Sequence, residues 1–330
     1  MNKNVMVYKT QLIFYSVVAV VLLCSSLYAD IFEILGGQKV GTTSLAFLKI
    51  GVDTRSEGMG QTLVSTSRDA SGVYFNPANT LSSTSGLTFS HIVWLADIGY
   101  DYLGLIKNFG NSAVALQLSN LSSGYIEETD ELHPFGTGNY FRFADNLLSL
   151  TYAFRIIDRF AIGIGAKGII ETLAEISSYA FTLDIGTIYN VGYRDIKIGM
   201  SLLNMGSDAR PKGEYTVDGV SHSYEAYPLP IVYRIGTSGK LFKNLLVAVE
   251  MDKPSDNVET FKIGCEYSLS PFLQLRSGYK LNAKSPGSSG LSFGASFVLP
   301  WYSEGLFVDY AFSEMGYIGE THRLGVSLGF

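Results

Sequence analysis

Residues 160–189 read FAIGIGAKGIIETLAEISSYAFTLDIGTIY, and this stretch decides the fold. Its two flanks, 160–170 and 179–189, alternate apolar residues with small or polar ones, a period of two that is typical of β-strands. Each flank is about ten residues long and carries its charge, Lys167 or Asp184, on the less apolar phase. Strands of this length with one apolar and one polar face are the repeating unit of a membrane β-barrel.

The same pattern recurs along the chain and predicts fourteen strands. They are 86–95, 99–108, 112–120, 147–155, 160–170, 179–189, 194–204, 231–238, 244–252, 259–268, 272–281, 289–298, 305–313 and 321–330. Short connections such as 109–111 alternate with longer ones such as 121–146 and 205–230, as in barrels with short inner turns and long outer loops. We therefore predict an all-β fold, a single transmembrane antiparallel up-and-down barrel.

Ionisable residues predict which strand face lines the lumen, because a Lys or Arg facing lipid at mid-membrane costs about 2–4 kcal/mol. The predicted lumen-facing charges are Arg155, Lys167, Asp184, Lys197, Arg234, Glu250, Lys262, Glu266, Arg276, Asp309 and Arg323. The same rule assigns Asp101 and Lys107 to the lumen. Aromatic residues near strand ends, among them Trp94, Tyr100 and Tyr102, are expected in the girdles at the head-group level.

Composition supports a membrane protein over a soluble one. Charged residues make up 16 % of the chain, whereas soluble domains usually carry about 25 %. The alternative is a secreted β-sandwich or propeller, which would show more charge on its water-facing strands; no 40–50-residue repeat supports a propeller. The net charge of −6 comes without a basic patch, which excludes nucleic acid as a partner.

The first 29 residues resemble a secretory signal, with Lys3 and Lys9 before a short apolar core. Cleavage is expected near Ala29, and lipidation at Cys24 is the competing interpretation. The expected location is the outer membrane of a double-membraned bacterium. We divide the chain into a signal peptide (1–29), an N-terminal hatch (30–85) and a barrel (86–330).

Motifs for catalysis are weak in this sequence. GIGAKG at 163–168 matches a dinucleotide fingerprint by letter, but it lies within an alternating strand instead of at a strand-to-helix turn. His133 and His222 fall in the long loops, where solvated histidines are a simpler interpretation than a hydrolase site. The four histidines have no spacing typical of a metal site. We predict no enzyme activity, no metal and no cofactor.

A fourteen-strand barrel is wide enough to leak unless something fills it, and the hatch precedes the first strand. Within it, Met59, Val64, Tyr74 and Phe75 are candidate contacts for a hydrophobic ligand, or they pack against the barrel wall. Asn76 lies before a proline and is therefore excluded from the helical region, so a helical turn must stop there.

The stretch GVDTRSEGMGQTLVSTSRDASGVYFNPANTLSS, residues 51–83, resembles the N-terminal signature of the PorV/PorQ family, which is related to the FadL-type transporters. The matching elements are Arg55, Gly58–Met59–Gly60, Asp69–Ala70–Ser71 and Asn76–Pro77–Ala78. Gln61 and Asn79 depart from it, because small residues or glycine are common there.

The resemblance implies a FadL-like barrel whose hatch blocks the lumen. A long-chain fatty acid or another hydrophobic compound would enter from outside, bind in the lumen and leave sideways through the wall. Some members of the family instead take part in type IX secretion or surface attachment, which implies secretion-machinery partners besides outer-membrane lipid. The sequence leaves both roles open.

Overall fold

The structure is a computed structural model that describes residues 40–217, 219–282, 290–299, 305–316 and 319–330. The predicted signal peptide and its cleavage site, Cys24 and hatch residues 30–39 lie outside the described residues. In the described part of the chain, no helix is long and apolar enough to cross a membrane.

The described chain forms the predicted fourteen-strand barrel. Its strands are β1 Gly86–Val93, β2 Gly99–Asn108, β3 Ser112–Ser122, β4 Phe143–Ile157, β5 Phe160–Leu173, β6 Ile176–Asn190, β7 Lys197–Gly206, β8 Val232–Phe242, β9 Leu245–Pro254, β10 Thr260–Ser270, β11 Leu273–Asn282, β12 Leu291–Leu299, β13 Leu306–Glu314 and β14 Glu320–Gly329. Every strand pairs antiparallel with its neighbour in the chain, and β1 pairs with β14 along Gly86–Val93. The barrel is therefore closed, which confirms the predicted all-β fold.

Loop lengths distinguish the two ends of the barrel. The long connections 123–142 and 207–231 lie at one end, called the outer end below, and tight turns such as 158–159 lie at the other. The predicted loop 171–178 is wrong. Strands β5 and β6 continue through it to a two-residue turn, and Arg210–Pro211 extends their sheet by pairing with Ser178 and Tyr179.

Strand β2 alternates between an inner and an outer face as predicted, but the two faces are exchanged relative to the prediction. Tyr100 and Tyr102 point inward and are fully buried, whereas Asp101 and Lys107 point outward. Asp101 pairs there with His91, at 2.7 Å between Oδ1 and Nδ1. The rule that the charged face of a strand lines the lumen failed here. The hatch packs apolar groups against this part of the wall, so the inner face of β2 is apolar too.

The hatch runs inside the barrel from the outer end to the opposite end. Ser44 N–H donates to the Pro228 carbonyl in an outer loop, at 3.0 Å. A 3₁₀ turn at Ala46–Lys49 follows, and then the short helices α1 Thr54–Gly58, α2 Gly72–Phe75 and α3 Asn79–Ser82. Helix α2 stops at the extended Asn76, as the following proline requires.

Candidate functional site

The hatch fills the barrel interior. Residues 51–66 and 69–81 are all buried, although many of them are polar. Their backbone lies so close to the wall that several strands have glycine at the point of contact. A Cβ on Gly163 would lie 2.3 Å from the Pro77 carbonyl carbon, and one on Gly278 would lie 2.0 Å from Gly60 N. No side chain fits at those distances, so the wall glycines form the seat of the hatch.

Glu57 of α1 links the hatch to two strands. Its Oε1 lies 2.5 Å from Lys280 Nζ on β11, and its Oε2 lies 2.7 Å from Arg323 Nη2 on β14. The Gln61 amide also donates to Oε2, at 2.6 Å. Burial alone would raise the pKa of Glu57, but Arg323 and Lys280 hold it well below its usual range. The carboxylate is therefore ionised, and it is the counter-ion of two cations on the wall.

A second network begins at Arg55, whose Nε donates to Glu266 Oε2 at 2.9 Å and whose Nη2 donates to Oε1 at 3.1 Å. Glu266 also accepts from Arg276 at 2.7 Å, and Arg276 reaches Asp309 at 2.8 Å. Asp309 in turn binds the hatch again through Arg68, at 2.6 Å. Charges from the hatch and from β10, β11 and β13 thus alternate in sign. Such fork-shaped, charge-assisted pairs fix geometry as well as adding energy.

The remaining motif residues shape the hatch backbone. Asp69 Oδ1 accepts from the Ser71 hydroxyl at 2.6 Å, and Asp69 Oδ2 accepts from Ser327 on the wall at 3.1 Å. The Asn76 amide donates to the Val64 carbonyl at 2.8 Å, and its oxygen accepts from Ala78 N–H at 3.0 Å. Gly60 has a φ of +66°, a conformation that favours glycine, and Gly58 lies against Gly294.

The two departures from the family signature have partners. Gln61 has a φ of +63°, where glycine would be unstrained, and its amide donates to Glu57. Asn79 donates to the Leu63 carbonyl at 2.8 Å and to the Gly72 carbonyl at 2.9 Å. Both side chains therefore add hydrogen bonds inside the hatch that a small residue would lack.

The four candidate ligand contacts are deeply buried. The Tyr74 hydroxyl donates to the Leu48 carbonyl at 2.6 Å, and the Phe75 carbonyl accepts from Ser201 on β7 at 2.8 Å. The backbone of Val64 and that of Met59 face wall glycines. None of the four lines the cavity described below, and their role as ligand contacts stays a prediction.

Eight of the eleven predicted lumen charges are buried inside the barrel: Lys167, Asp184, Arg234, Glu250, Lys262, Arg276, Asp309 and Arg323. Glu266 and Lys197 are half-buried, whereas Arg155 is exposed. Arg155 is on the inner phase of β4, but it lies at the end of the barrel that has the tight turns. There it is past the end of the hatch, beside Leu81 and Ser82.

One buried carboxyl group of the hatch, that of Asp53, differs from the others because it has no cation partner in the described part of the chain. Asp53 caps α1 by accepting from Ser56 N–H at 2.8 Å, but no described cation forms an ion pair with it. Burial, together with the negative charges of Asp69 and Asp309, raises the pKa of Asp53 from 3.8 to about 6. Ionised Asp53 therefore weakens the folded state at neutral pH.

We expect Asp53→Asn to stabilise the protein at pH 8, because asparagine keeps the cap without the charge. Between the unfolded pKa of 3.8 and the folded pKa of about 6, the folded state holds a proton that the unfolded state has lost. Wild-type stability thus falls as pH rises across that window. The gain at pH 8 is about 3 kcal/mol and vanishes near pH 4. Thermal unfolding in detergent at both pH values measures it, with the exposed Asp208→Asn as control; an equal gain at both would contradict the prediction.

Above the hatch, at the outer end, lies a cavity of about 630 Å³, called the outer vestibule. It is lined by Thr43, Ser44, Leu45, Ala46, Phe47, Lys49, Ile50, Trp94, Ile98, Leu121, Phe143, Asp145 and Glu171. Most of these side chains are apolar. Phe47, one of the lining residues, packs edge-on against Tyr100 of β2, with ring centroids 6.4 Å apart. Trp94 thus lies in the vestibule, not in the predicted girdle.

Two carboxyl groups enter this apolar vestibule side by side. Asp145 on β4 and Glu171 on β5 are direct cross-strand partners. Asp145 is 1 % exposed, and its Oδ1 has no hydrogen-bond partner among the described residues. The single lysine of the vestibule, Lys49, is already paired with Asp256 at 2.5 Å.

Sequence reasoning missed these two carboxyl groups, Glu57 and most of the wall glycines. The two predicted strands span 147–155 and 160–170. Asp145 lies just before the first and Glu171 just after the second, so both fell into predicted loops. Extending the alternation by two residues would have placed both on the inner phase.

Comparisons with known proteins agree with this architecture. A family model described as type IX secretion system protein PorV matches residues 35–190. No curated protein matches the chain in sequence. Among solved structures, the fold is similar to a FadL homologue of Pseudomonas aeruginosa at 11 % identity and a TM-score of 0.56, covering 84 % of this chain and 98 % of that one.

Two hydrocarbon channels show the same fold. The CymD monoaromatic hydrocarbon channel has 13 % identity and a TM-score of 0.58, covering 85 % of this chain and 98 % of its own. The Pseudomonas putida toluene transporter TodX has 11 % identity and a TM-score of 0.55, covering 89 % and 98 %. The chain therefore forms a closed fourteen-strand barrel with a FadL-like fold, and its residues 35–190 are similar to the PorV family.

Proposed function

We propose that the protein admits small hydrophobic molecules across the outer membrane, beginning with their capture in the outer vestibule. The observation that carries this proposal is an apolar cavity of about 630 Å³ at the outer end, directly above the hatch. Ligand pockets typically have volumes of about 300–1,000 Å³ and mostly apolar walls. A cavity of about 440 Å³ at the opposite end is lined mainly by polar and charged residues, so it differs in chemistry from the outer vestibule.

The structural neighbours support a hydrophobic cargo, since two of them are named as a toluene transporter and a monoaromatic hydrocarbon channel. The hatch in the described state occupies the interior below the vestibule. Passage therefore requires the hatch to move, and the ion pairs of Glu57 and Arg55 with the wall hold it closed until then.

Filling the vestibule should block uptake. Ala46 is an exposed residue that lines the cavity, so Ala46→Trp adds bulk there without disturbing the core. In cells that lack their own channels of this type, we expect toluene uptake to fall several-fold relative to wild type. Leu132→Trp, on an outer loop away from the cavity, is the matched control. Equal uptake by both variants would count against the vestibule as the entry site.

A second candidate function rests on the family match. PorV is a type IX secretion system protein, and residues 35–190 match its model. In this role the barrel would act through secretion partners, and small-molecule uptake would be incidental. Deleting the gene in a host with type IX secretion distinguishes the roles: a loss of cargo secretion that Ala46→Trp fully rescues would support the secretion role, because that variant leaves the barrel intact while blocking the vestibule.

A further inference from the structure

We propose that the outer vestibule selects hydrophobic molecules that carry a protonated amine, and that it disfavours hydrophobic carboxylates. This inference rests on the proposed function, because it assigns a ligand chemistry to the same entry site. It differs from the long-chain fatty acid that the family resemblance implies.

The two carboxyl groups of the vestibule occupy unfavourable positions in the described state. Asp145 and Glu171 are opposite each other on neighbouring strands, and like charges directly opposite each other destabilise a sheet. Other buried acids on the barrel wall have cations beside them; Asp184, for example, lies 2.7 Å from Lys167. No described cation forms an ion pair with Asp145 or Glu171. The barrel thus has an acidic pair with nothing on the wall to balance it.

The acidic pair lies at the wall of the vestibule, next to the space that a ligand would occupy. Asp145 is almost fully buried, and its Oδ1 lacks a partner in the described chain. A buried acceptor without a partner destabilises the folded state, and more so when it is charged. Both carboxyl groups line the vestibule, so a ligand there can supply the missing donor.

An ammonium group is the donor that suits this acidic pair. An ammonium group has three N–H donors and one positive charge, so it can bridge both carboxylates and remove their repulsion. Its hydrocarbon part would contact Phe47, Trp94 and Leu121 on the apolar wall. A carboxylate placed there would be repelled by the acidic pair. Lys49 offers little compensation, because its ammonium group is held by Asp256.

Matched ligands test the selectivity. We would titrate the full-length protein in nanodiscs with 4-phenylbutylamine, 4-phenylbutanol and 4-phenylbutyrate at pH 7.4, by calorimetry with empty nanodiscs subtracted and by tryptophan fluorescence. The expected result is at least about tenfold tighter binding of the amine than of the alcohol, and no saturable binding of the acid. The variant Asp145→Asn/Glu171→Gln keeps the shape of the vestibule. We expect it to bind the alcohol as before and the amine no more than about twofold tighter.

The possible outcomes distinguish the amine selectivity from hydrophobic capture itself. Equal affinity for the three ligands, or an amine preference that survives the double variant, overturns the selectivity while leaving hydrophobic capture intact. Failure of all three ligands to bind overturns capture as well. A saturable Ca²⁺ site that displaces the amine and disappears in the double variant would assign the pair to a metal ion instead. Unchanged heat-modifiable migration of the variant on SDS gels shows that its barrel is folded.

Discussion

Gly163→Val should unseat the hatch, whereas Gly168→Val on the same strand should leave it in place. A Cβ on Gly163 would lie 2.3 Å from the Pro77 carbonyl carbon and 2.5 Å from Ala78 N, both backbone atoms that cannot rotate away. Its cross-strand partner Gly186 is equally crowded, with Asn76 Oδ1 at 2.0 Å from a Cβ. Gly168 faces outward with nothing within 4 Å of a Cβ. Valine suits a strand at both positions, so the two variants differ only in the face that they change.

Cysteine labelling measures the effect. Ala78 is fully buried, so in a Cys265→Ser background an Ala78→Cys thiol should react very slowly with a hydrophilic maleimide. Overpacking of a well-packed site costs about 1–3 kcal/mol, which corresponds to a rise of about 5- to 150-fold in labelling rate when Gly163→Val is added. Gly163→Ala should give a smaller rise. If Gly163→Val and Gly168→Val label at the same slow rate, the wall glycines do not seat the hatch.

The barrel was predictable because the environment of each strand is simple. Lipid outside and packed polar groups inside impose a period of two, and that period gave all fourteen strands. The prediction failed where the interior is apolar. On β2 the hatch covers Tyr100, Tyr102 and Ile106, so both faces are apolar in the middle of the strand and the charges at its ends assign the wrong phase.

The site was harder to predict because it depends on contacts between distant parts of the chain. The signature residue Arg55 was recognisable as a motif, but its partner Glu266 is 211 positions away. Glu57 stands in the same motif and pairs with two cations on the wall, yet nothing local distinguishes it from a solvated glutamate. The vestibule carboxyl groups needed the true ends of β4 and β5, and strand ends are the least reliable part of a sequence-based assignment.

Glu57→Ala should open the barrel and strongly destabilise it. The substitution leaves Arg323, which is 1 % exposed, and the partly buried Lys280 without their shared counter-ion. Breaking a buried pair in this way costs about 3–5 kcal/mol. Because these contacts join the hatch to β11 and β14, we expect two effects: a lower temperature of heat modification on SDS gels, and ion conductance in planar bilayers that the wild type lacks. The stabilisation is fully present above the unfolded pKa of 4.5 and is lost as pH falls through the lowered folded pKa, so acid should reproduce part of the effect in the wild type.

Two controls distinguish the effect of removing the buried charge of Glu57 from the effect of removing any charge. Asp195 pairs with Lys240 at 2.7 Å, but both side chains are more than half exposed, so Asp195→Asn should change stability by less than about 1 kcal/mol. In an Arg323→Met background, Glu57→Ala should cost clearly less than in the wild type, because one of the two cations that it strands is already gone. Equal costs in the two backgrounds would mean that the Glu57–Arg323 pair does not hold the hatch. Conductance that stays at the wild-type level in Glu57→Ala would mean that the glycine seat alone keeps the barrel closed.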